Sequence, residues 1–440
     1  MISEPILGLI SLGVLFIGIL TGYPMAFTFI FIGLIFGFVG MEERVFKLMQ
    51  SQFFTLMRNT TLSAIPLFLF MGFVLEQSGL MERVFRSLRI LLGGLRGSLY
   101  LVVLLVATVF AAATGIVGAS VTILGVMASP IMRGSGYNNA LSAGTIAAGG
   151  TLGILIPPSI LLIVLGPVVG VPVTQLFTAA IIPGLMLAAI YILYTLVRSW
   201  INPELGPPVP QEELDSMSLG YKLRELMLGV IPVTLVVAFT LGVIIAGIAT
   251  PTDAAATGGF ASLILALAYR KLDFKQFRQC LFSTLKMTAM IMFLLGAANF
   301  FGAVFSRLGS ADLLTEFLLS LELAPLAMLF IMLAIVFVLG SPLEWIPIVL
   351  VIVPIFLPTM VELGFDPLWF SILVAVTLQT SWLTPPMALS AYFLKGVVPE
   401  WRMGEIYWGM SQFVVLQLIV VTLLAFFPQI VLWLPSVLAN

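Results

Sequence analysis

The sequence predicts an all-α polytopic membrane protein. It is read as two inverted-topology repeats, each with about five transmembrane crossings, a re-entrant helical hairpin and a broken helix. Three observations carry this reading. Hydrophobic residues make up 61% of the 440, charged residues only 9%, and the mean hydropathy is +1.18. A soluble chain of this length has too little polar side chain to solvate its surface. Apolar runs of about 20 residues recur from end to end, each long enough to span a bilayer. They are continuous and not alternating, which excludes a β-barrel. Finally, the chain matches itself at an offset of 228 residues.

The first repeat covers 1–200, with crossings at roughly 5–22, 24–40, 60–78, 138–168 and 175–198. The opening MISEP carries no Lys or Arg and is followed by no small-residue cleavage site, so the first run is read as a retained span. MERVFRSLRILLGGLRG (81–97) interleaves Arg with Leu, Ile and Phe, the pattern of a helix lying along a membrane surface or of an arm holding a moving unit. The hairpin runs over about 97–134. Its apolar run stops at Gly115-Ile-Val-Gly118-Ala-Ser120 and then resumes, so glycines and a small hydroxyl permit a tight reversal with its tip near Thr114–Ser120. The broken helix, about 138–168, contains GGTLGILIPPSI, in which Pro157 and Pro158 end one half-helix and Ser159 begins the next.

The linker at 201–224 holds the only long polar stretch, INPELGPPVPQEELDSMSLGYK, rich in Pro and acid. The second repeat covers 225–440, with crossings at roughly 229–249, 252–269, 287–305, 368–394 and 406–432. Asp253 starts one of them and reads as its N-cap. A second surface helix is expected at 306–323, and the second hairpin at about 324–358 turns near Gly340-Ser341-Pro342. The offset lays Pro130 on Pro358, Met132 on Met360, Gly136 on Gly364 and Tyr137 on Phe365. It lays Pro157-Pro158 on Pro385-Pro386 and Thr151 on Gln379.

Charge sets the orientation. With the N-terminus outside, an odd number of crossings inverts the second half. The inner side then holds Arg83, Arg86, Arg89, Arg96, Arg133, Arg198, Lys222, Arg224, Arg270, Lys271, Lys275, Arg278, Lys286, Lys395 and Arg402. The outer side holds only Arg44, Lys47, Arg58 and Arg307. Fifteen against four is a strong positive-inside bias and places both termini outside.

Composition also removes whole classes of chemistry. Histidine is absent and Cys280 is the single cysteine, which excludes zinc centres, haem ligation, Cys–His nucleophiles and internal disulfides. Cys280 sits in a basic connector and reads as an incidental thiol. A net charge of −1 leaves no basic footprint for nucleic acid. No acid pair recurs at helical spacing, so an intramembrane enzyme is disfavoured, and no P-loop pattern points to ATP.

Paired, interrupted apolar segments in corresponding places of two halves point to a transporter binding site. Backbone released by each break is tolerated at membrane depth only where protein covers it or it lines a cavity. Carbonyls and hydroxyls are hard oxygen donors that suit Na⁺, while half-helix N-termini suit an anion. Two tips suggest two cation sites: Thr114, Gly115, Ser120, Gly150 and Thr151 for one, and Gly340, Ser341, Gln379, Thr380 and Thr384 for the other. An anionic substrate falls to Gly118, Pro157, Pro158, Ser159, Pro342, Glu344, Pro385 and Pro386. Glycine and serine in membrane helices also serve close packing. Glu344, just past the second turn, either reaches outer water or acts at membrane depth.

AGGTLGILIPPSI, TPTDAAATGG, GYNNALSAGTIAAGG and SPLEWIPIVLVIVPIFLP resemble the large membrane subunit of tripartite ATP-independent periplasmic (TRAP) transporters, essentially over the whole chain. The resemblance implies Na⁺-driven uptake of an organic acid such as a C4-dicarboxylate across the bacterial cytoplasmic membrane, with no cofactor beyond the coupling ion. It implies a soluble periplasmic substrate-binding protein, a small four-helix membrane subunit as a separate chain, and an elevator-type motion of the hairpins and broken helices against a scaffold. Where the family often carries Asp in the second hairpin, this chain has Glu344. A stand-alone sodium:carboxylate symporter of the same superfamily, and a passive channel, share the duplicated hairpins and remain competing readings.

Overall fold

The computed structural model describes residues 3–208 and 219–438, without the side chains of 112–114, 219 and 222. The centre of the linker, 209–218, therefore lies outside the described residues. Those described contain helices and no strand.

The first half runs α1 (Glu4–Leu20), α2 (Met25–Met41), α3 (Arg44–Met57), α4 (Ala64–Gln77), α5 (Leu80–Leu92), α6 (Ser98–Thr114), α7 (Val117–Gly134), α8 (Asn139–Thr151), α9 (Ile160–Val169) and α10 (Val173–Ile201). The second runs α11 (Leu219–Val237, continuing through a π-turn to Ile245), α12 (Pro251–Ala268), α13 (Phe274–Arg307) and α14 (Ser310–Ser320). It continues with α15 (Pro325–Gly340), α16 (Trp345–Glu362), α17 (Pro367–Gln379), α18 (Leu389–Val397), α19 (Met403–Phe426) and α20 (Gln429–Leu438). Among the described residues, seven helical stretches are long and apolar enough to cross a membrane.

The element order of the first half recurs in the second, and so do its local devices. Asn138 and Asp366, 228 apart, cap α8 and α17: Asn138 Oδ1 accepts from the Leu141 N–H at 3.0 Å, and Asp366 Oδ1 from the Leu368 N–H at 2.7 Å. Each cap follows a glycine in the left-handed region, Gly136 at φ 74° and Gly364 at φ 81°. Both diproline bonds, Pro157-Pro158 and Pro385-Pro386, are cis.

Packing interlocks the halves. α4 packs on α12 and, in the corresponding arrangement, α13 packs on α2. α8 packs on α19, while α17 packs on α10. The two amphipathic segments form helices, and each docks on the first helix of the opposite half. On α5, Ser87 Oγ donates to the Glu225 carbonyl at 2.8 Å and Arg83 pairs with the Glu225 carboxylate at 3.3 Å. On α14, Ser310 Oγ donates to the Pro5 carbonyl at 2.8 Å.

Several boundaries differ from the sequence expectation. α3 was not expected: its Arg, Lys and Gln break up a run too polar for a span, yet they leave one apolar face that rests Val45 against Phe300 and Val304. α13 is 34 residues long, where a crossing at 287–305 was expected. At 1.5 Å per residue it extends about 50 Å, well beyond a hydrocarbon core of ~30 Å, because a capping box at Asp273 and Gln276 starts it early. Cys280 accordingly lies buried inside this helix and not in a connector. The span expected at 406–432 ends at Phe426, and α20 starts afresh at Gln429. Asp253 is not the N-cap of α12. That role falls to Thr250, whose Oγ1 accepts from the Asp253 N–H at 3.2 Å and donates to the Asp253 carboxylate at 2.6 Å.

Candidate functional site

The first hairpin turns over only two residues. α6 ends at Thr114 and α7 begins at Val117, so Gly118 and Ser120 sit in the first turn of α7 and not in a loop. Gly115 carries the reversal at φ 61°, a conformation that a side chain disfavours. The turn lies against the break of its own half: a Cβ on Gly115 would sit 3.2 Å from the Pro158 carbonyl, and one on Gly153 3.6 Å from Gly115 Cα. Gly150 faces the Val121 backbone, its virtual Cβ 3.1 Å from Val121 N. The second hairpin repeats this arrangement. Ser341 Oγ donates to the Pro385 carbonyl, and the Met387 N–H donates to the Ser341 carbonyl at 3.3 Å. A Cβ on Gly340 would meet Ser381 Cβ at 3.1 Å.

Thr151 and Gln379 are placed in a way their assignment to separate groups did not anticipate. They occupy equivalent positions in the two halves, and Gln379 Nε2 donates to Thr151 Oγ1 at 3.1 Å. Both side chains are fully buried, and Gln379 Oε1 finds no hydrogen-bond donor among the described residues. Thr380 Oγ1 donates to the Thr377 carbonyl at 2.5 Å and Thr384 Oγ1 to the Thr380 carbonyl at 2.8 Å. A hydroxyl that gives its proton to a carbonyl keeps lone pairs for a cation. The side chain of Thr114 lies outside the described residues.

A cavity of about 520 Å³ lies where these elements converge. Four helices start on its wall: α7 at Val117, α9 at Ile160, α16 at Trp345 and α18 at Leu389. Their first amides lack intrahelical acceptors and carry the positive end of the helix dipole. Of the residues read as substrate contacts, Gly118, Ser159 and Glu344 line this cavity; Pro157, Pro158, Pro342, Pro385 and Pro386 do not. The prolines release the backbone and start the helices, while the lining comes from their neighbours. Of the residues read as cation ligands, Gly115 alone lines it. The first diproline is buried and the second exposed, so the two breaks differ in access.

Two further helices close the cavity: Phe73 and Glu76 come from α4, and Met287, Met290 and Ile291 from α13. The sequence reading missed Glu76. An acid near the end of an apolar span is a signal of its own, and it was available. A second cavity of about 750 Å³, lined by Arg83, Arg86, Lys271 and Glu82 among others, also has Glu76 on its wall. Arg83 there stacks over the Tyr269 ring at 5.4 Å.

Residues 12–430 match the family model described as "Tripartite ATP-independent periplasmic transporter, DctM component". The chain belongs to this family of TRAP large permease subunits. It is 30% identical over 379 residues, 86% of each chain, to the C4-dicarboxylate TRAP transporter large permease protein DctM of Pseudomonas aeruginosa. It is 28% identical over 433 residues, 97% of this chain and 96% of the other, to the sialic acid TRAP transporter large permease protein SiaM of Vibrio cholerae. Among solved structures, the YdaH transporter of Alcanivorax borkumensis superposes with a TM-score of 0.62 at 18% identity, covering 87% of this chain and 88% of that one. That likeness concerns the fold. As a TRAP large permease, the chain is a multi-pass membrane protein with a role in solute uptake.

Proposed function

We propose that this TRAP permease takes up a small organic acid through the cytoplasmic membrane by Na⁺ symport. The observation that carries the reading is the central cavity. Four helix N-termini meet there, no Arg or Lys lines it, and its walls come from two groups of helices. The N-termini supply positive potential for a carboxylate without a fixed charge that would hold it too tightly to release. The duplicated tips and breaks bring backbone carbonyls and Ser/Thr hydroxyls together, and the buried, donor-less Gln379 Oε1 suits a cation better than an apolar core. A soluble binding protein delivers the substrate, and a small membrane subunit braces the exposed faces of α1 and α2. Each Na⁺ moved through 100 mV contributes about 2.3 kcal/mol before its concentration gradient is counted.

In this reading the hairpins with α8–α10 and α17–α19 form the moving unit, and α1–α4 with α11–α13 form the scaffold. Glu76, shared by the two cavities, marks the route to the Arg83–Arg86 face, which is cytoplasmic under the positive-inside rule. Both termini are then periplasmic.

Reconstituted uptake tests the proposal. Proteoliposomes holding this chain and its small subunit are offered labelled carboxylates with the binding protein, with and without an inward Na⁺ gradient. Accumulation that needs both the gradient and the binding protein is expected. Accumulation without the binding protein indicates a stand-alone symporter, and uptake indifferent to Na⁺ and never concentrative indicates a channel.

A further inference from the structure

The central cavity is poorly matched to a plain anion. Its two ionisable side chains, Glu76 from the scaffold and Glu344 from the second hairpin, are both acids. Glu344 precedes the first turn of α16, makes no side-chain capping bond there, and is half-buried with its carboxylate on the cavity wall. Among the described residues, no hydrogen bond or ion pair holds it. A dicarboxylate placed in this space would set its second negative charge against these groups. Aromatic residues are prominent in the lining as well. Trp345 and Trp382 line the cavity with Glu344, and Phe73 and Phe393 line it too, the Phe393 ring lying close to Gly118. Trp382 and Glu344 also share the wall of a smaller adjoining void, which places them next to each other. Tryptophan faces beside a carboxylate form a receptor for a cationic nitrogen, above all one that cannot hydrogen-bond and is easily desolvated.

The first half contributes a different lining. There Gly115 and the start of α7 meet the start of α9 at Ser159 and Ile160, where amides and small residues leave room for a carboxylate. The cavity therefore combines free helix amides with an acid–aromatic cluster. We propose that the organic acid carried by this permease is a zwitterion. Its carboxylate sits at the N-termini of α7 and α9, and its quaternary ammonium or other cationic nitrogen sits among Glu344, Trp345 and Trp382. The inference rests on the carboxylate-uptake reading above and narrows it.

Three pairs of compounds, alike in shape and differing at the nitrogen, test this on the full chain in lipid nanodiscs with Na⁺. They are glycine betaine against 3,3-dimethylbutanoate, proline betaine against 2,2-dimethylcyclopentanecarboxylate, and carboxymethylpyridinium against phenylacetate, with succinate as a dicarboxylate. Affinity is read by calorimetry or thermal shift. At least one zwitterion is expected to bind about tenfold or more tighter than its isostere. Glu344→Gln should abolish that ratio, Glu344→Asp should retain part of it, and Trp382→Leu should reduce it. A merely structural role for Glu344 would weaken both members of a pair alike and leave the ratio unchanged. Equal or tighter binding of the nitrogen-free partners, or a ratio unaltered by Glu344→Gln, overturns the proposal. Na⁺-driven uptake of succinate or phenylacetate in that case leaves the carboxylate reading standing. Failure of all seven compounds to bind, with no response to Na⁺, overturns both.

Discussion

Gly115→Ala is the sharpest probe of how the first hairpin serves the cavity. Two effects add at this position. At φ 61° an alanine is held in the left-handed region, which disfavours it by about 1–2 kcal/mol. Its methyl group would also lie 3.2 Å from the Pro158 carbonyl, so the tip must retreat from the broken helix by a few tenths of an ångström. That retreat moves the start of α7 away from the start of α9, the two amide clusters facing the cavity. Together the terms amount to about 2 kcal/mol, or roughly thirtyfold against the productive arrangement. Gly170→Ala separates them. Gly170 has φ 71° at the end of α9 and no atom within 4 Å of its virtual Cβ, so it suffers the backbone strain alone. Both variants should lower the melting temperature in detergent, Gly115→Ala somewhat more than Gly170→Ala. Only Gly115→Ala should also lower Na⁺-dependent uptake at least tenfold. Equal uptake by the two variants would refute the claim that contact between tip and break builds the site.

Other outcomes follow from the same geometry. Gly409→Ala should destabilise by about 1–3 kcal/mol, because its methyl would lie 1.9 Å from the Ala140 carbonyl, and the alanine helix preference of ~1 kcal/mol is too small to compensate. Gly404→Ala, in the same helix with open space around it, should be neutral or stabilising in the same melting assay. A double-mutant cycle of Thr151→Val and Gln379→Leu should show a coupling of roughly 0.5–1 kcal/mol, the usual size for a hydrogen bond between membrane helices, and zero coupling would argue against the contact. Hydrogen bonding to its own N–H and to Arg133, 3.0 Å away, holds the Glu400 carboxyl below the usual carboxylate range. For a lowered acid the stabilisation is present above the unfolded pKa and disappears as pH falls through the folded one. The melting difference between the protein and Glu400→Gln should thus vanish in strong acid, and a difference that grows there would contradict the pairing.

The fold was legible to an unusual degree because lipid imposes strict rules on sequence. A chain that must bury every backbone polar group shows its helices as apolar runs, and its interruptions stand out as Gly, Pro and Ser. Duplication doubled each signal, so GGTLGILIPPS and LQTSWLTPP identified each other. The same uniformity hid what is not periodic in hydropathy. α3 was missed because its single apolar face is too narrow to read as a span, and the early start of α13 depends on a capping pair and not on hydrophobicity. Glu76 was overlooked because the reading concentrated on the breaks, while the cavity is closed by helices that have none.

The sequence by itself determined the helical class, the duplication, the places where helices break and the residue types released there. These are local or repeating properties, written in consecutive residues. The tertiary structure decided which released groups meet. It set Thr151 against Gln379 across 228 residues, left the prolines out of the cavity lining, and brought Glu76, Glu344 and two tryptophans to one cavity. Such meetings depend on how two interlocked halves pack, and an all-apolar helix carries no pattern that says which face will turn inward.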